Sequence, residues 1–180
     1  LNYKPQMLPI NEDKLKLHPG FAKVPWDYTG KNNVIALRAA DGDGGKSAIF
    51  NGHLDVVDLE PVTFWDSDPF IPLVADNKIF GRGAGDMKSG VAAMTYAVHA
   101  VDKAGFGLCA PVTLQAVVEE ECCGNGTLSL MDAGYDADAI LIPEPFGPTI
   151  LTNQLGVLWF KVRVGGKPVH VLEAQAGTNA

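Results

Sequence analysis

The sequence predicts an α/β fold in which helices pack on the faces of a sheet. Three observations support this prediction: runs of β-prone residues, one long amphipathic helical stretch, and turns rich in glycine and proline between them. Of the 180 residues, 47% are apolar and 19% are charged. This composition is typical of a chain that buries a core and argues against a disordered one.

The first part of the chain predicts loop followed by two strands. Residues 1–33 contain four prolines, which break any helix or strand into short pieces, so we expect a loop there. Residues 33–40 and 47–57 are β-prone. Because an Asp- and Gly-rich turn joins these two runs, the pattern predicts that they pair as a hairpin.

A helix with one buried face is predicted over residues 86–104. Its apolar residues recur at intervals of three and four: Val91, Met94, Val98 and Val101. Residues 112–118 and 139–142 are unbroken apolar runs, which are typical of buried strands, and residues 127–133 suit a short helix.

The pattern changes near Leu155. Residues 157–164 alternate between apolar and polar side chains, as a strand with one solvent-exposed face does. We therefore expect one domain over residues 1–154 and the beginning of a second over residues 155–180.

Charge and cysteine usage exclude several classes of protein. With 14 basic and 21 acidic residues the net charge is −7, which argues against nucleic-acid binding. No apolar run approaches the roughly 18 residues that a membrane-spanning helix needs. The three cysteines are an odd number and two are adjacent, so we expect no disulfide framework and a cytoplasmic protein.

Several familiar motifs are absent. The glycine-rich turn Gly81-Arg-Gly-Ala-Gly85 lacks the third glycine of a dinucleotide-binding fingerprint. The segment Gly165-Gly-Lys-Pro168 lacks both the upstream glycine and the Ser or Thr of a P-loop. The sequence also contains no H-E-x-x-H, C-x-x-C or G-x-S-x-G pattern. Functional residues must therefore be sought elsewhere.

Ionisable residues follow several of the predicted strands. His53 and Asp55 are two positions apart and so lie on the same side of a strand. Residues 119–121 are three glutamates that end a buried strand, Glu144 ends another, and Asp86 stands where a turn enters a helix. Taken singly, Asp86 is more often a helix cap and the glutamates a solvated strand end. Together, one histidine and several carboxylates at separate strand ends are what a two-metal hydrolytic site requires.

Four motifs carry a resemblance to the M20 metallopeptidase family, which includes acetylornithine deacetylase, succinyl-diaminopimelate desuccinylase, aminoacylase and glutamate carboxypeptidase. They occur in the family's order and approximate spacing: Asn51-Gly-His-Leu-Asp-Val-Val57, Gly81-Arg-Gly-Ala-Gly-Asp-Met-Lys88, Val117-Val-Glu-Glu-Glu-Cys-Cys-Gly-Asn-Gly-Thr127 and Ile142-Pro-Glu-Pro145. The resemblance implies a zinc-peptidase-like catalytic domain, with a mixed sheet flanked by helices, that is incomplete over residues 1–154. It also implies the start of an α+β lid or dimerisation domain over residues 155–180.

The resemblance implies a site that holds two Zn²⁺ ions. His53 and Glu144 resemble ligands of one zinc, Glu121 resembles a ligand of the second, and Asp86 resembles the bridge between them. Co²⁺ or Mn²⁺ would also suit a ligand set that is rich in oxygen.

Further roles are carried over by the same resemblance. Glu120 resembles the general base, and Asp55 the residue that orients His53. His170 resembles the lid-domain histidine that reaches into the partner subunit's site. The peptide bond between Asp86 and Met87 is expected to be cis.

The expected activity is that of a zinc-dependent amidohydrolase acting on an N-acyl amino acid or a related small N-acyl compound. Glutamate at position 144 goes with deacylases and carboxypeptidases in the family. The alternatives are a dipeptidase or carboxypeptidase of the same family, and a non-catalytic fragment that keeps the fold. Because the family's second zinc takes a further histidine from a longer chain, we expect an N-terminal fragment that is inactive alone. We expect a homodimer through the lid in the intact protein.

Overall fold

The computed structural model describes residues 3–147, 149–156, 160–167 and 169–177. The chain falls into two units, with the division after Phe146. The described residues form seven strands: β1 (Gln6–Pro9), β2 (Asn32–Arg38), β3 (Ala48–His53), β4 (Leu73–Ala75), β5 (Lys78–Phe80), β6 (Val112–Val117) and β7 (Ala139–Leu141). They also form three α-helices: α1 (Glu12–Leu15), α2 (Gly90–Lys103) and α3 (Asn125–Asp132).

A five-stranded mixed sheet organises the first unit, in the order β1-β2-β6-β3-β7. Strand β2 is antiparallel to both of its neighbours, β1 and β6, whereas β3 runs parallel to both of its neighbours, β6 and β7. The predicted α/β fold with a mixed sheet is confirmed. Because β3 and β6 are parallel, His53 pairs with Val117 and the two strands end at the same edge of the sheet. Side chains that follow these strands therefore meet there.

The predicted hairpin between residues 33–40 and 47–57 is wrong. Strand β6 lies between β2 and β3, so neither strand pairs with the other. The Asp- and Gly-rich turn is instead held by a distant loop, because the Asp41 N–H donates to the Leu108 carbonyl at 2.8 Å and the Gly45 N–H donates to the Cys109 carbonyl at 3.3 Å. The local sequence predicted a turn correctly, but the segment that this turn contacts lies far away in the sequence.

The first 33 residues are not all loop, as the sequence predicted, since they contain β1 and α1. Pro9 ends β1 at the edge of the sheet, where a missing N–H costs no inner ladder hydrogen bond. Asn11 caps α1 by accepting a hydrogen bond from the Lys14 N–H at 3.1 Å. Leu15 of α1 is buried with Tyr28 in a core cluster under α3.

The apolar face predicted for the long helix is confirmed. Met94 and Val98 of α2 are buried and pack against Leu114 of β6. Strand β7 differs from the prediction of a buried strand, because Ile140 is 57% exposed and Leu141 is 51% exposed. Its position at the edge of the sheet explains this difference.

In the second unit, the strand predicted over residues 157–164 is not formed by residues 160–164, and residues 157–159 lie outside the described residues. A short 3₁₀ helix spans Val171–Ala176 and begins with a hydrogen bond from the Glu173 N–H to the His170 carbonyl at 2.8 Å. The assignment of residues 155–180 to a lid domain stays a prediction. None of the helices in the described residues combines the length and apolar character needed to cross a membrane.

Candidate metal centre

The candidate site lies at the edge of the sheet where β3 and β6 end. His53 is the last residue of β3, and its side chain is 1% exposed. Its Nδ1 atom lies 3.0 Å from the backbone carbonyl oxygen of Asp55 and 3.6 Å from that residue's carboxylate. A carbonyl oxygen can only accept, so Nδ1 carries the hydrogen, and in the neutral ring Nε2 carries the lone pair.

Three carboxylates surround the Nε2 atom of His53. Asp86 Oδ1 lies at 3.0 Å, Glu144 Oε1 at 3.7 Å and Glu120 Oε2 at 3.8 Å. One ligand atom from each of His53, Asp86 and Glu144 lies within 4.8 Å of the other two. An imidazole nitrogen with carboxylate oxygens at these separations is a donor set that suits Zn²⁺ and related divalent ions.

A tight turn places Asp86 beside His53. Residues Ala84–Ser89 form an irregular turn before α2, with non-helical backbone angles at Asp86 and Met87, and the peptide bond between these two residues is cis, as predicted. The side chain of Met87 is fully buried, and the Asp86 side chain is 57% exposed and points its carboxylate at the imidazole. The turn thus anchors itself on Met87 and presents Asp86 to the site.

Glu144 is brought to the site by close packing between α2 and the segment after β7. A Cβ atom at Gly90 would lie 2.2 Å from the carbonyl oxygen of Pro143, a distance that real side chains do not reach. Glycine at the start of α2 therefore permits this approach. The Glu144 side chain, 14% exposed, then reaches His53.

Asp55 connects the two strand ends. Its carboxylate oxygens accept hydrogen bonds from the backbone N–H groups of Glu120 and Glu121, each at 3.2 Å. Its carbonyl meets His53, so one residue holds both the imidazole and the turn that carries the two glutamates. The resemblance implied only the contact with His53.

Mutual repulsion and burial alter the pKa values of the cluster. Burial, with the nearby charges of Asp86 and Glu120, raises the pKa of Glu144 to about 7 although His53 opposes the shift. Burial and the charge of Asp86 also raise the pKa of Glu121. Burial lowers the pKa of His53, but its hydrogen bonds with Asp86 and Asp55 outweigh this and raise it.

The raised pKa values show that this cluster favours bound protons, because its carboxylates lie close together. A divalent cation placed among the same oxygens would relieve the repulsion that the protons now relieve. The donor atoms and their electrostatics therefore fit a metal ion. Glu121 lies close enough to Asp86 and His53 for their charges to act on its pKa, although the group within 4.8 Å does not include it.

Two further residues require separate description. His170 belongs to the second unit, where its Nδ1 accepts a hydrogen bond from the Leu172 N–H at 3.3 Å. Its role at the partner's site stays a prediction.

Glu119, in contrast, is buried beside the site and accepts hydrogen bonds from Trp26 and Tyr28. Sequence reasoning assigned no function to Glu119, because three consecutive glutamates give no signal that the first points inward.

Glu119 also belongs to a second group of potential metal ligands, with Cys122 and Cys123. Both of its carboxylate oxygens already accept hydrogen bonds. Burial raises the pKa of Cys123 to about 12, and the charge of Glu119 adds to this, so the thiol stays protonated at neutral pH. This group is therefore hydrogen-bonded structure rather than a prepared metal site.

Comparison with known proteins identifies the family. Residues 49–174, a range that contains the whole cluster at the strand ends, match the model of Peptidase family M20/M25/M40. The chain belongs to this family. The predicted membership is confirmed, and M20 enzymes are typically dinuclear metal hydrolases, which agrees with the donor set described above.

Two curated relatives illustrate the similarity of this M20 chain. It is 37% identical over 148 residues to N-formyl-4-amino-5-aminomethyl-2-methylpyrimidine deformylase of Bacillus subtilis (strain 168), covering 80% of the chain and 34% of the relative. It is 32% identical over 165 residues to succinyl-diaminopimelate desuccinylase of Cupriavidus necator, covering 86% and 43% respectively. The chain therefore spans only about a third to two fifths of these relatives.

Solved structures share the fold. Human carnosine dipeptidase 1 matches with a TM-score of 0.59 at 23% identity, over 78% of this chain and 29% of that one. The M20 metallo-carboxypeptidase Sso-CP2 from Sulfolobus solfataricus matches with a TM-score of 0.54 at 25% identity, over 62% and 26%. These likenesses place the sheet and its helices among M20 catalytic domains.

Proposed function

We propose that the natural full-length protein containing these residues is a metal-dependent amidohydrolase that removes an acyl group from a small N-acyl compound, such as an N-acyl amino acid. The observation that carries this proposal is the convergence of Asp86, Glu120 and Glu144 on the Nε2 atom of His53, within 3.0–3.8 Å. The cluster lies where β3 and β6 end, the edge at which α/β sheets place their functional groups.

Two Zn²⁺ ions are the proposed cofactors, with Co²⁺ or Mn²⁺ as possible replacements. His53 and Glu144 would hold one ion, Glu121 the other, and Asp86 both. The ions supply positive charge that polarises an amide carbonyl and activates water. His53 is suited to its part because the Asp55 carbonyl fixes the proton on Nδ1 and leaves Nε2 for the metal.

Glu120 is the proposed general base. Its carboxylate faces the same space as Nε2 of His53, and its side chain is 49% exposed, so water and substrate can reach it. It takes a proton on a carboxylate oxygen from the attacking water and returns it to the leaving amine nitrogen. Asp55 keeps Glu120 in place by accepting its backbone N–H.

The two curated relatives favour deacylation over peptide hydrolysis, because both are named for removing an acyl group, formyl in one and succinyl in the other. The competing activity is that of a dipeptidase or carboxypeptidase, in line with the name of the Sulfolobus relative. A panel of N-formyl, N-acetyl and N-succinyl amino acids, assayed beside dipeptides with the zinc-loaded full-length protein, separates the two. Faster cleavage of dipeptides would contradict the deacylase proposal.

The 180 residues alone are proposed to be inactive, since the family's second zinc takes a further histidine. Amide hydrolysis by this polypeptide with added zinc would contradict that. Failure of the full-length protein to cleave any amide would instead favour the non-catalytic alternative.

Location and assembly are also proposals. The described cysteines, Cys109, Cys122 and Cys123, are all free thiols, which supports a cytoplasmic location. A homodimer formed through the domain that begins near residue 155, with His170 reaching the partner's site, follows from the family resemblance alone. Light scattering of the full-length protein tests the dimer, and a monomer at micromolar concentration would contradict it.

A further inference from the structure

Glu119 immediately precedes the proposed general base and has an unusual conformation. Its backbone φ angle is +71°, in the left-handed region that favours glycine, and the residue is only 6% exposed. The chain reverses direction here, since the Glu119 carbonyl accepts hydrogen bonds from the Gly124 N–H at 2.9 Å and the Cys123 N–H at 3.4 Å. The turn so closed carries Glu120 and Glu121.

The side chain of Glu119 is fixed by two aromatic residues from the N-terminal segment. Oε1 accepts a hydrogen bond from Trp26 Nε1 at 3.1 Å, and Oε2 accepts one from the Tyr28 hydroxyl at 2.6 Å. The Tyr28 oxygen in turn accepts from Asn125 Nδ2 at 2.7 Å. Hydrogen bonds to a buried carboxylate are among the stronger ones in proteins.

The turn is therefore held by two separate sets of hydrogen bonds. Asp55 accepts the N–H groups of Glu120 and Glu121 on the side that faces His53. Glu119 anchors the start of the turn to residues that lie more than 90 positions earlier in the chain. The Glu120 carboxylate carried by this turn lies 3.8 Å from Nε2 of His53.

We propose that Glu119 is a positioning residue for Glu120, acting through its hydrogen bonds to Trp26 and Tyr28. The inference rests on the proposed function, in which Glu120 is the general base. The three residues, here called the Glu119 clamp (Glu119, Trp26 and Tyr28), hold a strained backbone conformation that a glutamate would otherwise leave. Losing the clamp lets the turn relax and moves the Glu120 carboxylate away from its working position.

The variant Glu119→Gln tests the clamp while keeping the size of the side chain. The amide removes the negative charge and replaces one of the two accepting oxygens by an NH2 donor, so neither aromatic partner keeps a hydrogen bond to a charged oxygen. In the zinc-loaded full-length protein we expect kcat to fall roughly 10- to 100-fold, the loss typical of residues that orient a metal site's working groups. KM should change less than about threefold, because Glu119 does not bind substrate. A general loss of structure would change kcat and KM together.

Tyr28→Phe is the second variant, since it removes one hydroxyl and keeps the buried ring. If Glu119 and Tyr28 act as one clamp, the double variant loses little more activity than Glu119→Gln alone. Tyr96→Phe, at an exposed tyrosine of α2, is the matched control and should leave kcat unchanged. The inference would be overturned if the fold-losses of kcat in the two single variants multiply in the double variant. It would also be overturned if kcat is unchanged in both single variants.

Hydrogen exchange of the metal-free protein provides a readout that does not depend on activity. The backbone amides of residues 120–124 should exchange faster in Glu119→Gln and Tyr28→Phe, while the amides of β6 keep their wild-type rates. Unchanged exchange in the turn would contradict the clamp.

The variant Glu120→Gln separates the two proposals. If it remains active, the proposed function fails. An inactive Glu120→Gln beside a fully active Glu119→Gln overturns the clamp alone.

Discussion

The Nε2 atom of His53 lies 3.0 Å from Asp86 Oδ1, although the two residues are 33 positions apart. Nδ1 donates to the Asp55 carbonyl, so this contact is a hydrogen bond only when Nε2 also carries a proton. The raised pKa of His53 agrees with such a proton. A metal ion bound as proposed would therefore compete with protons for the atoms of this cluster, and the first two predictions follow from this competition.

Zinc affinity should rise with pH. Because the pKa of Glu144 is raised to about 7, this carboxylate is largely protonated at pH 6 and must lose its proton to bind a cation. We expect the affinity of the metal-free protein for Zn²⁺ to increase steeply from pH 6 to pH 8, with protons released on binding. Titration calorimetry in buffers of different ionisation enthalpy measures both. An affinity that does not change over this range would contradict the prediction.

The stability of the metal-free protein should show the opposite trend. Glu144, Glu121 and His53 all have raised pKa values, so the folded chain binds more protons than the unfolded chain between their ordinary and shifted values. For Glu144 that window runs from 4.5 to about 7, and stability from this source is lost as pH rises through it. Thermal unfolding of wild type and Glu144→Gln from pH 4.5 to 8 measures this. Wild type should lose stability relative to the variant, and a constant difference would contradict the prediction.

Asp86→Asn should weaken zinc binding. The substitution keeps the size of the side chain but replaces a charged oxygen ligand by a neutral amide, so we expect affinity to fall at least about tenfold. Asp43→Asn, at an exposed position in the turn before β3, is the matched control. Equal zinc affinity in the two variants would show that Asp86 is not a ligand.

Gly90→Ala should destabilise the protein even though alanine favours helices by about 1 kcal/mol over glycine. The new Cβ atom would lie 2.2 Å from the Pro143 carbonyl oxygen, so backbone must move. We expect a loss of about 1–3 kcal/mol, as for other overpacked sites, measured by urea unfolding.

Gly42→Ala is the control for this substitution, because a Cβ atom there would meet nothing within 4 Å. The Gly90→Ala displacement should also weaken zinc binding, since Glu144 follows Pro143 directly. A Gly90→Ala protein as stable as Gly42→Ala would contradict the packing described here.

The grouping of the candidate metal ligands could be expected from the sequence because these residues lie where local patterns change. His53, Glu120 and Glu144 each follow an apolar β-prone run, and parallel strands bring such residues to one edge of a sheet. The family motifs then supplied the roles. Local pattern failed where the partner was distant: the insertion of β6 between β2 and β3 is set by long-range pairing, so the predicted hairpin did not form.

The Glu119 clamp could not be predicted for the same reason. Residues 119–121 are all glutamates, so the sequence does not distinguish them. Only the left-handed backbone at Glu119 directs one side chain inward and the other two toward the site. Trp26 and Tyr28 donate hydrogen bonds to the buried carboxylate. Both lie in a stretch for which the prolines predicted only loop.

The rate of amide hydrolysis by the zinc-loaded full-length protein with Glu120→Gln tests the central claim most directly. The substitution leaves His53, Asp86, Glu121 and Glu144 in place, so zinc should bind with wild-type affinity and stoichiometry. Because the amide of glutamine cannot accept the proton from water, kcat should fall by about 10²- to 10⁴-fold. A variant that binds zinc normally and keeps wild-type kcat would contradict the account.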